Sequence, residues 1–234
     1  MALSITERLV LLCEGGADKA FFRALLRERP KMPRFNIPFP EPRDELDDGK
    51  EPLGGRDNID RMLRDIRVPL GFRNVLGILI VVDSADDPNT TFDFVCGKIR
   101  QATGYTVPPT LLAPSNRTAA SPQIAVMCMP DEENAGGVET LYAREIEGTR
   151  DWIANCVDAF LSCGQIDIQD WVAEKKSKAR FHSMVAALYE HDPSRSSSMI
   201  WKRRGAPLLM DIKAKCFDNV EMKIRAFAAA VGAP

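Results

Sequence analysis

Hydrophobic positions along this chain alternate between unbroken runs and helical stripes. The first run, Leu9-Val10-Leu11-Leu12-Cys13, leads at once into Glu14-Gly15-Gly16-Ala17-Asp18. Five apolar residues bounded by turn residues predict a strand of a parallel sheet covered on both faces. Gly15-Gly16 lets the backbone reverse without a Cβ penalty, and a helix follows with Ala20, Phe21, Phe22, Ala24 and Leu25 on its apolar face. Asn74 to Val82 predicts a second strand, running into Asp83-Ser84-Ala85-Asp86-Asp87-Pro88, and Gln123 to Met129 a third, running into Pro130-Asp131. Between the strands, Ile59, Met62, Leu63 and Ile66 recur at helical spacing. Thr90 or Thr91 is placed to cap another helix, which buries Phe92, Val95, Cys96 and Ile99. Val107 to Leu112 reads as a short edge strand, since prolines such as Pro108 and Pro109 belong at edges. Gly136-Gly137 opens a helix carrying Val138, Leu141 and Tyr142.

From Arg150 onward only helical periodicity remains. One stripe holds Trp152, Ile153, Cys156, Val157, Phe160 and Leu161; a second holds Phe181, Met184, Val185, Leu188 and Tyr189. A third joins Leu208, Leu209, Ile212 and Cys216, and a last short one Val220, Ile224 and Phe227, with a polar loop from His191 to Ser198. Residues 30–55 carry six prolines, which forbid a long helix or a central strand and predict an irregular insertion over one sheet edge, either a lid or substrate-contacting loop or a plain disordered excursion. Alternating strands and helices predict an α/β fold: a three-layer, mostly parallel sheet with a helical C-terminal extension. Two parts are expected, an α/β domain over 1–149 with its insertion at 30–55, and a helical part over 150–234 packed on it.

Composition narrows the picture only modestly. Hydrophobic residues make up 45% of the 234 positions and charged ones 27%, as in ordinary globular chains. No apolar run approaches the roughly 20 residues that span a bilayer, and no secretory signal is evident at the start, so a cytoplasmic protein with no membrane partner is expected. Six cysteines without a C-x-x-C pair read as small hydrophobes in a reducing compartment. The net charge of −2 carries no global signature of nucleic-acid binding, but its distribution is uneven. Residues 131–151 hold seven acids against two arginines; residues 174–204 hold eight bases against three acids. An acidic site beside a phosphate-attracting surface would produce this, but on charge alone two solvated helical faces are the favoured explanation.

The chemistry lies at the strand exits, where Glu14, Asp83 and Asp131 follow the first, second and third strands. If the strands are parallel neighbours, these carboxylates meet at one rim, where their repulsion calls for a cation. Hard oxygen ligands suit Mg²⁺ or Mn²⁺, which keep waters and bind phosphate oxygens. The residues predict a divalent-metal phosphotransfer or phosphodiesterase site.

These residues resemble the Toprim domain of topoisomerases, primases and OLD-family nucleases, in which a glutamate follows the first strand and an Asp-x-Asp pair a later one. The similarity is greatest to small Toprim-like bacterial proteins related to the OLD-type nucleases. Those carry Met-Pro-Asp and Gly-x-x-Glu, here Met129-Pro130-Asp131 and Gly136-Gly137-Val138-Glu139, and a late Lys-x-x-x-His, here Lys178 to His182. The resemblance implies a Toprim/Rossmann-like sheet and a Mg²⁺- or Mn²⁺-dependent nuclease acting on DNA or RNA. It assigns Glu14 as metal ligand or general acid/base, Asp83 with Asp87 or Asp86 as metal ligands, Glu139 with Asp131 at a second ion, and Lys178 or Lys176 at the phosphate. A homodimer and a separate ATPase are the partners it leaves open. The chain departs from the pattern at Ala85, where the second aspartate of Asp-x-Asp would stand. The alternative is a non-catalytic nucleic-acid-binding or regulatory module with a degenerate site; a nucleotidyl transferase is a third, without a Walker-type loop to support it. His182 reads as structural, and Trp152, Trp171 and Trp201 as packing residues, with a single-strand contact through Trp201-Lys202-Arg203-Arg204 as the lesser alternative.

Overall fold

The computed structural model describes residues 4–39, 53–118, 121–163, 168, 170–188, 200–201 and 210–233. Its centre is a parallel sheet in the order β1 (Leu9–Cys13), β2 (Gly77–Asp83), β3 (Gln123–Met129), with Leu9 opposite Gly77 and Gly77 opposite Gln123. All three strands are buried almost throughout, as the unbroken apolar runs require. Alternation along each strand sends its side chains into two separate clusters. Leu9, Leu11, Cys13, Leu79, Val81, Ala125 and Met127 pack with α1 (Gly16–Glu28), α4 (Val138–Thr149) and α7 (Asp218–Ala230). Val10, Leu12, Ile78, Ile80, Val82, Ile124 and Val126 pack with α2 (Ile59–Asp65) and α3 (Pro88–Gln101). The chain is thus a mixed α/β fold around a small parallel sheet.

The helical C-terminal part joins the first of these clusters. α5 (Asp151–Leu161) contributes Ile153, Ala154 and Val157, and α6 (Ala173–Leu188) contributes Phe181, Met184 and Val185. Tyr142 touches Phe21, Phe181, Phe217 and Trp201 within one aromatic group, and its hydroxyl accepts a 3.3 Å hydrogen bond from Trp201 Nε1. At 6% exposure Trp201 is a core residue, as its packing reading expects, and not the alternative stacking platform. Arg29 ties the end of α1 to the last helix: its guanidinium donates to Asp218, Glu221 and the carbonyls of Ile212 and Ala214.

Several boundaries differ from the sequence expectation. The second strand starts at Gly77 rather than Asn74, because Phe72–Asn74 closes a 3₁₀ turn first. A Cβ at Gly77 would lie 2.7 Å from the Phe227 ring, so the missing side chain lets α7 approach. No strand forms over 107–112; instead the N–H groups of Leu112 and Ser115 donate to Val126 and Ile124, covering the outer edge of β3 with two main-chain bonds. The stripe on α5 splits: Trp152 is 62% exposed, Phe160 58%, and Cys156 is exposed as well, because the helix sits on its neighbours through Ile153, Ala154 and Val157. Residues 210–217 form turns and a 3₁₀ segment instead of the third helical stripe. Residues 40–52 of the expected insertion, Tyr189, the His191–Ser198 loop, Lys202-Arg203-Arg204, Leu208 and Leu209 lie outside the described residues. Among the described residues no helix is long and apolar enough to cross a membrane.

Candidate functional site

Because β1 and β2 are parallel neighbours in register, their exits share one rim. The Asp83 N–H donates to Glu14 Oε1 at 3.0 Å, so the two carboxylates nominated at the strand ends lie side by side. Asp83 is only 5% exposed. Its Oδ1 accepts from the N–H of Val138, at the start of α4, at 3.1 Å. This contact depends on Gly137, where a Cβ would fall 2.7 Å from the Asp83 carboxyl group. The glycine preceding α4 therefore has a job that a sequence motif does not reveal: it lets a helix N-terminus, with its partial positive charge, close on the carboxylate. The other oxygen, Oδ2, faces Lys178 Nζ at 3.3 Å, and that same ammonium pairs with Glu174 one turn earlier on α6.

Two further acids lie near enough to act on Asp83 through their charge. Glu139, in the first turn of α4, is 4% exposed. Asp18, in the first turn of α1, accepts the Gly15 N–H at 2.8 Å. Burial, then the charge of Asp83, pushes the Glu14 carboxyl up to about 7. Burial, then the charges of Glu139 and Glu174, pushes Asp83 to about 7 against the pull of Lys178. Asp18 is raised by burial and by Asp83, Glu139 and Glu14. Despite the cost of burial, Asp83 and Glu174 hold the Lys178 ammonium above the ordinary lysine value. The Lys178 ammonium thus pairs with Asp83 and Glu174 and feels the charge of Glu139, while burial and mutual repulsion favour the protonated carboxyl groups at this rim unless a cation takes the protons' place. Asp18 and Glu174 were not nominated from the sequence. Asp18 closes the Glu14-Gly15-Gly16-Ala17-Asp18 motif and was open to recognition there, whereas Glu174 reaches the site only through the packing of α6.

The remaining nominated residues do other work. Asp87 caps α3 in place of Thr90 or Thr91, its Oδ2 accepting from Thr90 N at 2.7 Å and Thr90 Oγ1 at 2.6 Å, and these bonds hold its carboxyl below the usual range. Asp86 Oδ1 accepts the Ala173 N–H at 2.8 Å, pinning the start of α6. Ala85, at φ +51°, pairs its backbone with Gly136. Asp131 turns into its own loop, where Asn134 N and Nδ2 donate to Oδ1 at 2.8 Å and Glu133 N at 3.1 Å. Against a desolvation cost, those bonds and the nearby Arg144 hold its carboxyl low. His182 is exposed on α6 beside Phe181, and burial together with Lys178 lowers its imidazole. The opposed charge blocks partly neutralise one another, since Arg180 of the basic stretch pairs with Glu147 of the acidic one and with Asp158. Lys175 stacks 3.9 Å over Trp171.

The donor chemistry suits a hard cation. Glu14 and Asp83 supply two carboxylates, the number with which Mg²⁺ is commonly held when waters and substrate phosphate complete its shell. Among the described residues no three His, Cys, Asp or Glu side chains are drawn around one point, so a denser all-protein cage is not formed.

Neither the curated proteins nor the solved structures include a match to this chain. Residues 8–220 match the model of a family described as a protein of unknown function, DUF3226, which takes in all three strands and the acidic rim. The chain belongs to the DUF3226 family.

Proposed function

We propose that this protein is a divalent-metal-dependent nuclease of Toprim-like type, hydrolysing phosphodiester bonds of DNA or RNA at the rim where Glu14 and Asp83 meet. The observation that carries the reading is the adjacency of the Glu14 and Asp83 carboxylates, brought together from separate strand exits with Asp83 buried. Asp83, fixed by the Val138 N–H through Oδ1, would bind Mg²⁺ or Mn²⁺ through Oδ2, and Glu14 would bind it from the adjacent strand. Such an ion supplies Lewis-acid polarisation of the phosphoryl oxygen. Alternatively, Glu14 would not ligate the ion and its carboxyl, near neutrality, would take or return a proton, while Lys178 would contact a substrate phosphate. The three-layer Toprim-like arrangement, the cytoplasmic setting and the nucleic-acid partner belong to this same reading.

The purified protein, given Mg²⁺ or Mn²⁺, is expected to nick or degrade single- or double-stranded nucleic acid, with Glu14→Gln reducing the rate by at least about 10²-fold, the scale of a lost acid/base group. Equal cleavage by that variant would assign the activity to a contaminant and remove the proposal. A second reading, a binding or regulatory module without catalysis, draws on Ala85 and on the use of Asp86 and Asp87 as helix anchors, which leave Asp83 with Lys178 as its counter-ion. Calorimetric titration with Mn²⁺ separates the two, since an enzyme binds the ion in a way that Asp83→Asn abolishes.

A further inference from the structure

We infer that Lys178 is a displaceable counter-ion: a divalent cation entering the acidic rim must evict its ammonium from Asp83, and the eviction loosens the start of α6. The inference rests on the metal-site reading above and adds a regulatory step to it. The two oxygens of Asp83 are engaged differently: Oδ1 accepts the Val138 N–H at 3.1 Å, and Gly137 closes on the carboxyl group as a whole, where a Cβ would fall within 2.8 Å of either oxygen. Oδ2 is the atom left to coordinate, and Lys178 Nζ lies 3.3 Å from it. A cation and the ammonium cannot share that position, because two positive charges a few ångströms apart in a half-buried site repel strongly.

The clasp extends along the helix. Lys178 also pairs with Glu174, four residues before it, and the α6 N-terminus is pinned a second time by the Asp86 carboxylate on Ala173 N at 2.8 Å. Both ties run from the first turns of α6 to the loop that leaves β2. Loss of the Lys178 contact removes one of the polar ties on this segment, leaving the Asp86 bond to Ala173 N and the 3.0 Å hydroxyl bond from Thr140 to Ser177, so the first turns of α6 open more readily once the ion is bound. The lysine side chain is 40% exposed and has room to swing outward without disturbing the core.

Calorimetry of Mn²⁺ binding to wild type, Lys178→Met and Asp83→Asn, with amide hydrogen exchange of α6 in the wild type, tests this. Lys178→Met is expected to bind Mn²⁺ about tenfold or more tightly, since the competing charge is gone, and Mn²⁺ is expected to speed exchange over residues 173–179 of the wild type several-fold. Binding by Lys178→Met that is equal to or weaker than wild type, or exchange in α6 that is unchanged by Mn²⁺, overturns the counter-ion role while leaving the metal reading intact. Absence of any binding sensitive to Asp83→Asn removes both. The exchange measurement uses unaltered protein, so it decides even if the methionine variant folds poorly.

Discussion

Glu14 and Asp83 tie stability to pH in a direction opposite to that of most carboxylates. Burial first, then the charge of Asp83 on Glu14 and of Glu139 and Glu174 on Asp83, raises both to about 7, above the roughly 4 of an unfolded chain. Between those values the folded state binds more protons than the unfolded one, so their contribution is fully present below about pH 4 and is lost as pH rises through 7. Asp87, Asp131, Asp158 and Glu221 are depressed and act the other way, losing their contribution only as pH falls through their lowered values. Metal-free protein is therefore expected to melt at a progressively lower temperature from about pH 5 to pH 8, and Asp83→Asn is expected to flatten that slope. A melting temperature that climbs over this interval in wild type would refute the assignment of protonated acids at the rim. At this scale the sequence made Glu14 and Asp83 legible because they end apolar runs. It could not separate them from Asp86, Asp87 and Asp131, because an aspartate that caps a helix or a turn and one that faces a ligand share the same loops.

Elements followed their apolar patterns wherever one face decided the outcome. Ile59, Met62, Leu63 and Ile66 are all buried, as are Phe21, Phe22, Ala24 and Leu25. The patterns failed where a stripe ran wider than the surface it could meet: α5 is apolar on two sides, and only the side touching α4 and α6 is covered. Pairing across elements was not visible either. Nothing in the local sequence of Arg29 announces that it meets Asp218, Glu221 and two carbonyls nearly two hundred positions later. Its side chain is 7% exposed, so cutting it away strands buried acceptors and a carboxylate. Arg29→Met is expected to lower the urea-unfolding free energy by about 3 kcal/mol, the cost typical of breaking a buried, multiply bonded charge. A loss below about 1 kcal/mol would show that the contacts between α1 and α7 do not depend on it.

One of the two core clusters of the molecule runs across the boundary at residue 150. Phe181, Phe217, Phe227, Ile224 and Trp201 pack into the same cluster as β1, β2, β3, α1 and α4, and each removed large side chain withdraws roughly 1.5–3 kcal/mol of burial. With native domains stable by only about 5–15 kcal/mol, residues 1–149 alone cannot absorb that loss. A fragment ending at Thr149 is expected to show no cooperative thermal transition by circular dichroism, whereas full-length protein should show one. A cooperative transition in the fragment would instead make the helical part an independent appendage. The acidic rim depends on the same wholeness: Glu174 and Lys178 reach Asp83 only because Phe181, Met184 and Val185 seat α6 against α4.

By itself the sequence determined the strands, their burial on both faces, the helices between them and the presence of acids at the strand exits, because burial and backbone geometry act over a few neighbouring residues. Only tertiary structure decided which of those acids share a point. That choice belongs to the parallel register of β1 and β2, to Gly137 admitting a helix end, and to an ammonium carried in on α6. Each of these brings together groups far apart in the chain, through packing that no local pattern encodes.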